Sequence, residues 1–161
     1  MALPVSQRKN VARQIVGEVR GPEAWLMIKA MESGSGSLST THAASAADAM
    51  DKLVTCCMEA GRHVSSELAA RKLGRAIDLV VHIRHDNTTD VDGTRHRRRA
   101  VSEIVAVGQG EVDLGYALTT VFSPVPNAPA SPTLLPDHLR VLAHHGFDID
   151  TFHATATGAR R

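Results

Sequence analysis

Short apolar runs alternate with longer amphipathic stretches along most of this chain. Residues 14–19 and 77–83 are apolar runs rich in β-branched residues, which is typical of strands. Over residues 22–32 and 44–60 the apolar positions instead recur at helical spacing. One face of the later helix carries Ala46, Met50, Leu53 and Cys57. Strands that alternate with helices predict an α/β fold with a mostly parallel sheet.

The pattern predicts further elements towards the C-terminus. Strands are expected over residues 37–41, 97–107 and 114–122, and helices from Ser65 or Ser66 to Leu73 and over residues 136–145. Asp92-Gly93 is a strong turn dipeptide, so the strands on either side of it are expected to form a β-hairpin.

Four prolines between Ser123 and Pro132 predict a coil or a semi-rigid connector. The expected organisation is therefore a poorly ordered segment at residues 1–13, one α/β domain at 14–122, a Pro-rich connector at 123–135, and a short helix with a flexible tail at 136–161.

The charge balance and the cysteines bear on which partners and which cellular compartment the sequence predicts. The chain of 161 residues has 18 basic and 17 acidic residues, so it has no overall attraction to nucleic acid or to an anionic membrane. Cys56 and Cys57 are adjacent, which makes them a poor disulfide pair and indicates a reducing compartment. No apolar run reaches the roughly 20 residues that span a bilayer. These features predict a cytoplasmic protein.

Candidate chemistry lies where the first two predicted strands end. Glu18 follows an apolar strand, and ligands bind at the carboxyl ends of strands in open α/β sheets. A carboxylate there can hold Mg2+, usually through water, or orient a water for phosphoryl transfer, and the alternative is an ordinary surface glutamate. His42 ends the next strand and would lie at the same sheet edge, where it can sense a phosphate or simply bond within a turn.

The other groups are better explained structurally. His82 and His85 have an odd separation on a predicted strand, which places them on opposite faces and argues against a metal pair. The basic run at residues 95–99 lacks interleaved aromatic residues, so a solvated hairpin edge protected against pairing is favoured over a phosphate site. Cys56 and Cys57 are expected to pack within a helix.

The order of the motifs resembles that of the type II/type IV secretion ATPases, especially the branch that powers tight-adherence and Flp-type pilus assembly. The resemblance covers about residues 8–108 and is carried by IVGEVRG at 15–21, GSLSTTHA at 36–43, AIDLVVH at 76–82, Asp92-Gly93 and VSEI at 101–104. It implies a RecA-like ATPase core that works as a homohexamer on the cytoplasmic face of the inner membrane, beneath a pilus or secretion platform.

The resemblance also assigns roles to individual residues. Glu18 matches the Walker B glutamate of the family, with Mg2+ held through water, and Arg20 matches the arginine that follows it. His42 matches the histidine of the His box, and Arg8 matches an arginine ahead of the Walker B strand. ATP and Mg2+ are the implied cofactors, and nucleic acid is not an implied partner.

Departures from the family pattern leave several functions open. The chain contains no G-x-x-x-x-G-K-[ST] sequence, so the expected fold is a RecA-like core without its Walker A half. The Arg-Pro-Asp that usually precedes the strand is replaced by Asn10, Val11 and Ala12. The chain then either completes a secretion motor with another chain, or docks on a full-length ATPase as a non-catalytic module or decayed gene product. An unrelated small α/β binding protein is the third alternative.

Overall fold

A computed structural model describes residues 12–32, 36–89, 91–110 and 115–158. The strands are β1 (Arg13–Glu18), β2 (Gly36–Thr40), β3 (Leu79–Thr89), β4 (Arg95–Gln109), β5 (Tyr116–Val125) and β6 (Ala128–Pro132). The α-helices are α1 (Glu23–Met31), α2 (Ala46–Met58), α3 (Ser66–Ala76) and α4 (Ile149–Gly158), and a 3-10 helix covers Asp137–His145. This mixture confirms the predicted α/β class.

The chain divides into two compact units. The first unit contains residues 1–78 and 107–118, and the second contains residues 79–106 and 119–161. In the first unit β1 and β2 pair in parallel, and α1 packs against both strands as well as against α2 and α3. Ser45 and Ser65 cap α2 and α3 by accepting a backbone N–H from Asp48 and Leu68. Of the two serines predicted as the cap of α3, Ser65 is the one that caps it, so this prediction is confirmed.

Methionine, aliphatic and cysteine side chains build the core of the first unit. Its largest fully buried side chains are those of Val19, Met27, Ile28, Met50, Cys57 and Leu73. Gln14 is also buried, and its side-chain amide donates to the carbonyl of Ala30 near the end of α1. A polar residue is therefore accommodated in an otherwise apolar strand because its side-chain amide hydrogen-bonds to a carbonyl near the end of the helix.

The second unit is built on the sheet of order β3-β4-β5-β6. β3 and β4 form the predicted antiparallel hairpin, and β5 and β6 pair antiparallel around a turn at Asn127, whose φ is 56°. The core on this sheet joins Ala106 and Val121 to Leu135 and Leu139 and to Phe152 of α4. Gly146 ends the 3-10 helix with a φ of 89°, and the N–H of Phe147 donates to the carbonyl of Leu142.

Two sequence predictions are wrong in this part of the chain. The Pro-rich residues 123–132 are not coil, because β5 continues through Val125 and β6 ends at Pro132. Among the described strands β6 is an edge of the sheet, where a proline removes no needed ladder bond. Residues 149–158 form α4 rather than a flexible tail, because Asp148 accepts from the Thr151 N–H and Phe152 is buried.

The sheet also differs from the mostly parallel one expected. Among the described strands only β1 and β2 pair in parallel, and the four-stranded sheet contains the two antiparallel hairpins. The basic residues 95–99 do lie on a solvated hairpin. Their strand β4 is nevertheless interior to the sheet order, so the predicted role as a protected edge is wrong.

Tight packing of α3 against the backbone at residues 115–116 yields a stability prediction. A Cβ added at Gly74 would lie 2.7 Å from the carbonyl oxygen of Gly115 and 2.8 Å from Cβ of Tyr116. Glycine-to-alanine substitution normally favours a helix, but the steric clash reverses the sign here. We expect Gly74→Ala to lower the free energy of unfolding by about 1–3 kcal/mol, measured by urea denaturation followed by circular dichroism.

Gly108→Ala is the matched control, since an added Cβ there would meet no atom within 4 Å. Equal stability of the Gly74→Ala variant and the wild-type protein would show that α3 is not held this closely against residues 115–116.

Candidate functional site

A bulge in β1 directs the Glu18 carboxylate. Gln14 and Val16 pair with the half-buried Ser37 and Ser39, but the register then shifts so that Glu18 pairs with Thr40, which is exposed. Strict alternation would place Glu18 on the inner face with Gln14, so the extra residue Gly17 turns it outward. Bulges commonly re-aim a side chain next to a functional site.

The loop after β2 is fastened to the end of β1. The N–H of Val19 donates to the carbonyl of Thr40 over 2.8 Å, and the hydroxyl of Thr41 donates to the carbonyl of Val19 over 2.9 Å. The hydroxyl of Thr40 donates to the carbonyl of Gly17 over 3.2 Å. These bonds hold His42 beside the strand end that carries Glu18.

Glu18 contacts both Arg20 and His42. Its Oε2 accepts from the guanidinium of Arg20 over 2.5 Å, and its Oε1 lies 3.0 Å from Nε2 of His42. The carboxylate keeps 29% of its side-chain surface exposed, whereas Arg20 and His42 are 70% and 83% exposed. The predicted meeting of Glu18 and His42 at one sheet edge is thus present in the structure, and Arg20 completes a cluster of three.

The cluster holds Glu18 in its charged form. The hydrogen bond from Arg20 is the main cause that lowers the pKa of the Glu18 carboxyl from its ordinary value, and the charges of Arg20, His42 and Lys52 act in the same direction against partial desolvation. The same bond raises the pKa of Arg20. Glu18 is therefore a carboxylate at neutral pH and can accept a hydrogen bond from water.

Lys52 is a member of the site that the sequence prediction missed. Its Nζ donates to the backbone carbonyl of His42 over 2.8 Å, and its charge lowers the pKa of Glu18. The sequence signal was its position: α2 begins four residues after His42, and Lys52 lies in α2 away from the predicted apolar face. A lysine there ties the loop to the helix that follows it.

Glu23 closes the loop between β1 and α1. Its Oε1 accepts from the N–H of Arg20 over 2.6 Å and from the N–H of Gly21 over 3.0 Å, which lowers the pKa of its carboxyl. The loop that carries Arg20 is therefore positioned by backbone bonds, and these two N–H groups already have an anionic partner.

The cluster fits a water-mediated contact with Mg2+ better than a protein cage. Mg2+ keeps several waters and usually takes one or two protein carboxylates, and Glu18 can supply one such contact. Within the described part of the chain, no three His, Cys, Asp or Glu side chains lie together as a metal site. Glu18 would hold a water on the metal, and the metal would neutralise charge on a nucleotide's phosphates.

The remaining candidates lie elsewhere. Arg8 is outside the described residues. His82 hydrogen-bonds through Nδ1 to the hydroxyl of Ser102 over 2.7 Å, and His85 is exposed on the same strand. Cys56 and Cys57 are buried and free in α2, as predicted, and burial raises the pKa of Cys57 to about 12. None of the described helices is long and apolar enough to cross a bilayer.

Comparison with known proteins finds matches over the part of the chain that contains Glu18 and His42. Residues 6–111 match the family described as type II/IV secretion system protein. The VirB11 ATPase of the Brucella suis type IV secretion system, solved with sulphate, is 32% identical over 60% of this chain and 29% of its own, with a TM-score of 0.47. The Legionella pneumophila ATPase DotB is 22% identical over 65% of this chain and 26% of its own, with a TM-score of 0.49. No curated protein matches the chain.

The chain thus spans less than a third of the length of either solved structure. The family match extends over most of the chain and includes β1, β2 and the loop that brings His42 to Glu18. On this match, the chain belongs to the type II/IV secretion system protein family.

Proposed function

We propose that this chain supplies the Walker B and His-box part of an ATP-hydrolysing motor that powers type II/IV secretion or tight-adherence pilus assembly. Glu18 is the Walker B carboxylate, His42 is the His-box residue, and Arg20 positions Glu18 near the nucleotide. The observation that carries the proposal is the contact of Glu18 with both Arg20 and His42 at the ends of two parallel strands.

In the proposed reaction Glu18 orients the attacking water towards the phosphate. Its lowered pKa keeps it ionised, so that one oxygen lone pair can accept the hydrogen bond of a water while Arg20 and His42 hold the carboxylate in place. His42 is 83% exposed and lies beside the carboxylate, where it can respond to a phosphate and change its contact with Glu18 when the phosphate leaves.

Phosphate binding requires a further element. Backbone N–H groups and a lysine of a G-x-x-x-x-G-K-[ST] loop cradle the phosphates in such enzymes, and these 161 residues contain no such sequence. We propose that hydrolysis needs such a loop in addition to these 161 residues, and that the motor works as a homo-oligomer or in a ring with a full-length secretion ATPase at the inner face of the membrane.

An exposed apolar pair in the first unit supports association with such a partner. Ile15 and Leu38 are direct neighbours in the β1–β2 pairing and are 77% and 61% exposed. A non-catalytic module that docks on a full-length ATPase would use the same surface. The motor function and the non-catalytic function would therefore use the same binding surface. They differ in whether the activity of the assembly depends on Glu18.

The isolated chain is expected to bind Mg-ATP weakly. Without a phosphate cradle, isothermal titration should show no saturation below about 1 mM nucleotide, for the wild-type chain and for Glu18→Ala alike. A stoichiometric isotherm that Glu18→Ala abolishes would overturn the need for an additional phosphate-binding loop.

Mixing this chain with a full-length family ATPase whose own Walker B glutamate is replaced by glutamine tests the motor role. We expect hydrolysis to be restored by the wild-type chain and lowered about a hundredfold or more by Glu18→Gln, because general-base groups contribute roughly that factor. Binding without any restored hydrolysis would support the non-catalytic module instead. Lys29→Gln, in the last turn of α1, serves as the control variant.

The contacts of Glu18 predict how its pKa responds to substitution. Arg20→Gln should raise the pKa of the Glu18 carboxyl towards its ordinary value, and His42→Gln should raise it less, because the Arg20 bond is the larger cause. Since the pKa in the folded protein is lowered, the contribution to stability is present at neutral pH and is lost as the pH falls through that pKa. Carbon-13 NMR titration of the side-chain carboxyl measures both shifts.

Arg71→Gln on the exposed side of α3 should leave this titration unchanged. If Arg20→Gln left the Glu18 pKa where it was, the bond between the two side chains would not exist in solution.

A further inference from the structure

Lys52 bonds to the backbone of the histidine that the proposed function places beside the nucleotide. Its Nζ donates to the carbonyl of His42 over 2.8 Å, ten residues back along the chain. Lys52 is half-buried in the middle of α2, whereas His42 is exposed in the loop before that helix. The bond therefore joins the candidate site to α2.

The bond changes the position of His42 more than the solvation of its carbonyl. It lies at an exposed position, where water can bond to a backbone carbonyl equally well. Holding a lysine side chain in one rotamer, by contrast, costs conformational entropy. The effect of the bond is therefore to fix where residue 42 lies.

Helix α2 offers a fixed point for this bond. Met50 and Leu53 are buried on its inner face, and Asp51 accepts from the hydroxyl of Tyr116 over 2.8 Å. Groups carried by a packed helix are positioned more precisely than groups carried by a loop. Lys52 thus extends the fixed geometry of α2 to the loop.

The imidazole of His42 depends on its backbone for its position. It lies 3.0 Å from Oε1 of Glu18, but 83% of the side-chain surface of His42 is exposed, so packing contributes little to holding it. The loop is fastened before His42 by the bond from Thr41 to Val19 and after it by Ser45, which caps α2. Lys52 adds a bond at residue 42 itself.

We propose that Lys52 is a positioning residue of the motor, which fixes the backbone of His42 to α2 and so keeps the imidazole beside Glu18. Its effect on hydrolysis rests on the proposed function, because it assumes that Glu18 and His42 act on a nucleotide. Lys52 acts through His42 and not as a ligand of the phosphates. Displacing a group by about 1 Å can cost about a hundredfold in rate, so one such bond is enough to affect catalysis.

Lys72 provides a matched control within the same unit. It is also a half-buried helix lysine, and its Nζ lies 2.7 Å from Oε1 of Glu32, which joins α3 to the end of α1. Lys72→Met therefore removes a lysine bond of similar length elsewhere in the unit. Lys52→Met removes the bond to His42 but keeps an unbranched side chain, and Lys52→Arg keeps a charged donor.

NMR of the full chain tests the positioning without a nucleotide. In the wild-type chain we expect backbone order parameters of about 0.85 at residues 42–44 and a nuclear Overhauser contact between the His42 ring and the Glu18 methylenes. Lys52→Met should lower these order parameters to about 0.6 or less and weaken the contact. Lys52→Arg and Lys72→Met should keep both close to the wild-type values. Circular dichroism confirms that each variant folds.

Hydrolysis measured together with the full-length ATPase whose own Walker B glutamate is replaced tests the catalytic consequence. We expect Lys52→Met to lower kcat about tenfold and to change KM for ATP less than about twofold, because the histidine is misplaced while nucleotide binding is kept. Lys52→Arg should restore most of kcat, and Lys72→Met should leave both constants unchanged.

Three results would overturn the proposal. One is that Lys52→Met leaves the order of residues 42–44 and the contact with Glu18 unchanged. Another is an equal loss in Lys72→Met, which would indicate a general effect on stability. The last is an unchanged kcat in Lys52→Met, whether or not KM rises. If the wild-type chain restores no hydrolysis, the proposed function fails, and the NMR comparison alone decides whether Lys52 positions His42.

Discussion

The parallel pairing of β1 with β2 is the constraint on which the candidate site depends. Two strands that run in the same direction end at the same edge, so residues far apart in the chain meet there. The bulge at Gly17 then decides which face receives the carboxylate, and the bonds between Val19, Thr40 and Thr41 hold the second strand end beside it. Glu18 and His42 are thus brought together by backbone geometry, and the contact between their side chains adds to an arrangement that the strands already impose.

Much of this arrangement could be predicted from the chain alone. The apolar run before Glu18 and the helical spacing in α2 identified the elements, and the rule that parallel strands end together predicted the meeting of Glu18 and His42. The bulge was not predictable, because the sequence between Val16 and Glu18 permits a regular strand as readily. Lys52 was missed because a lysine outside the apolar face of a helix is ordinary, and only the path of the loop shows that it reaches the His42 carbonyl.

The second unit shows a different limit of sequence reasoning. Prolines argued against strands over residues 123–132, yet β6 needs fewer ladder bonds at the edge of the sheet and tolerates Pro132 opposite Phe122. Helix α4 depends on burial of Phe152 against β4, β5 and the 3-10 helix, which is a tertiary contact that local composition does not reveal. Both errors came from judging a segment by its propensity, where packing against a distant strand decided the outcome.

The environment of the two cysteines has a practical consequence for biochemical work. Only the thiolate reacts readily with oxidants and alkylating reagents, and burial keeps both native thiols protonated, with the pKa of Cys57 raised to about 12. The chain contains no other cysteine. A single cysteine introduced at an exposed position would therefore be labelled selectively in the folded wild-type background, so fluorophores or cross-linkers could be attached one site at a time without first replacing Cys56 or Cys57 and disturbing the core around α2.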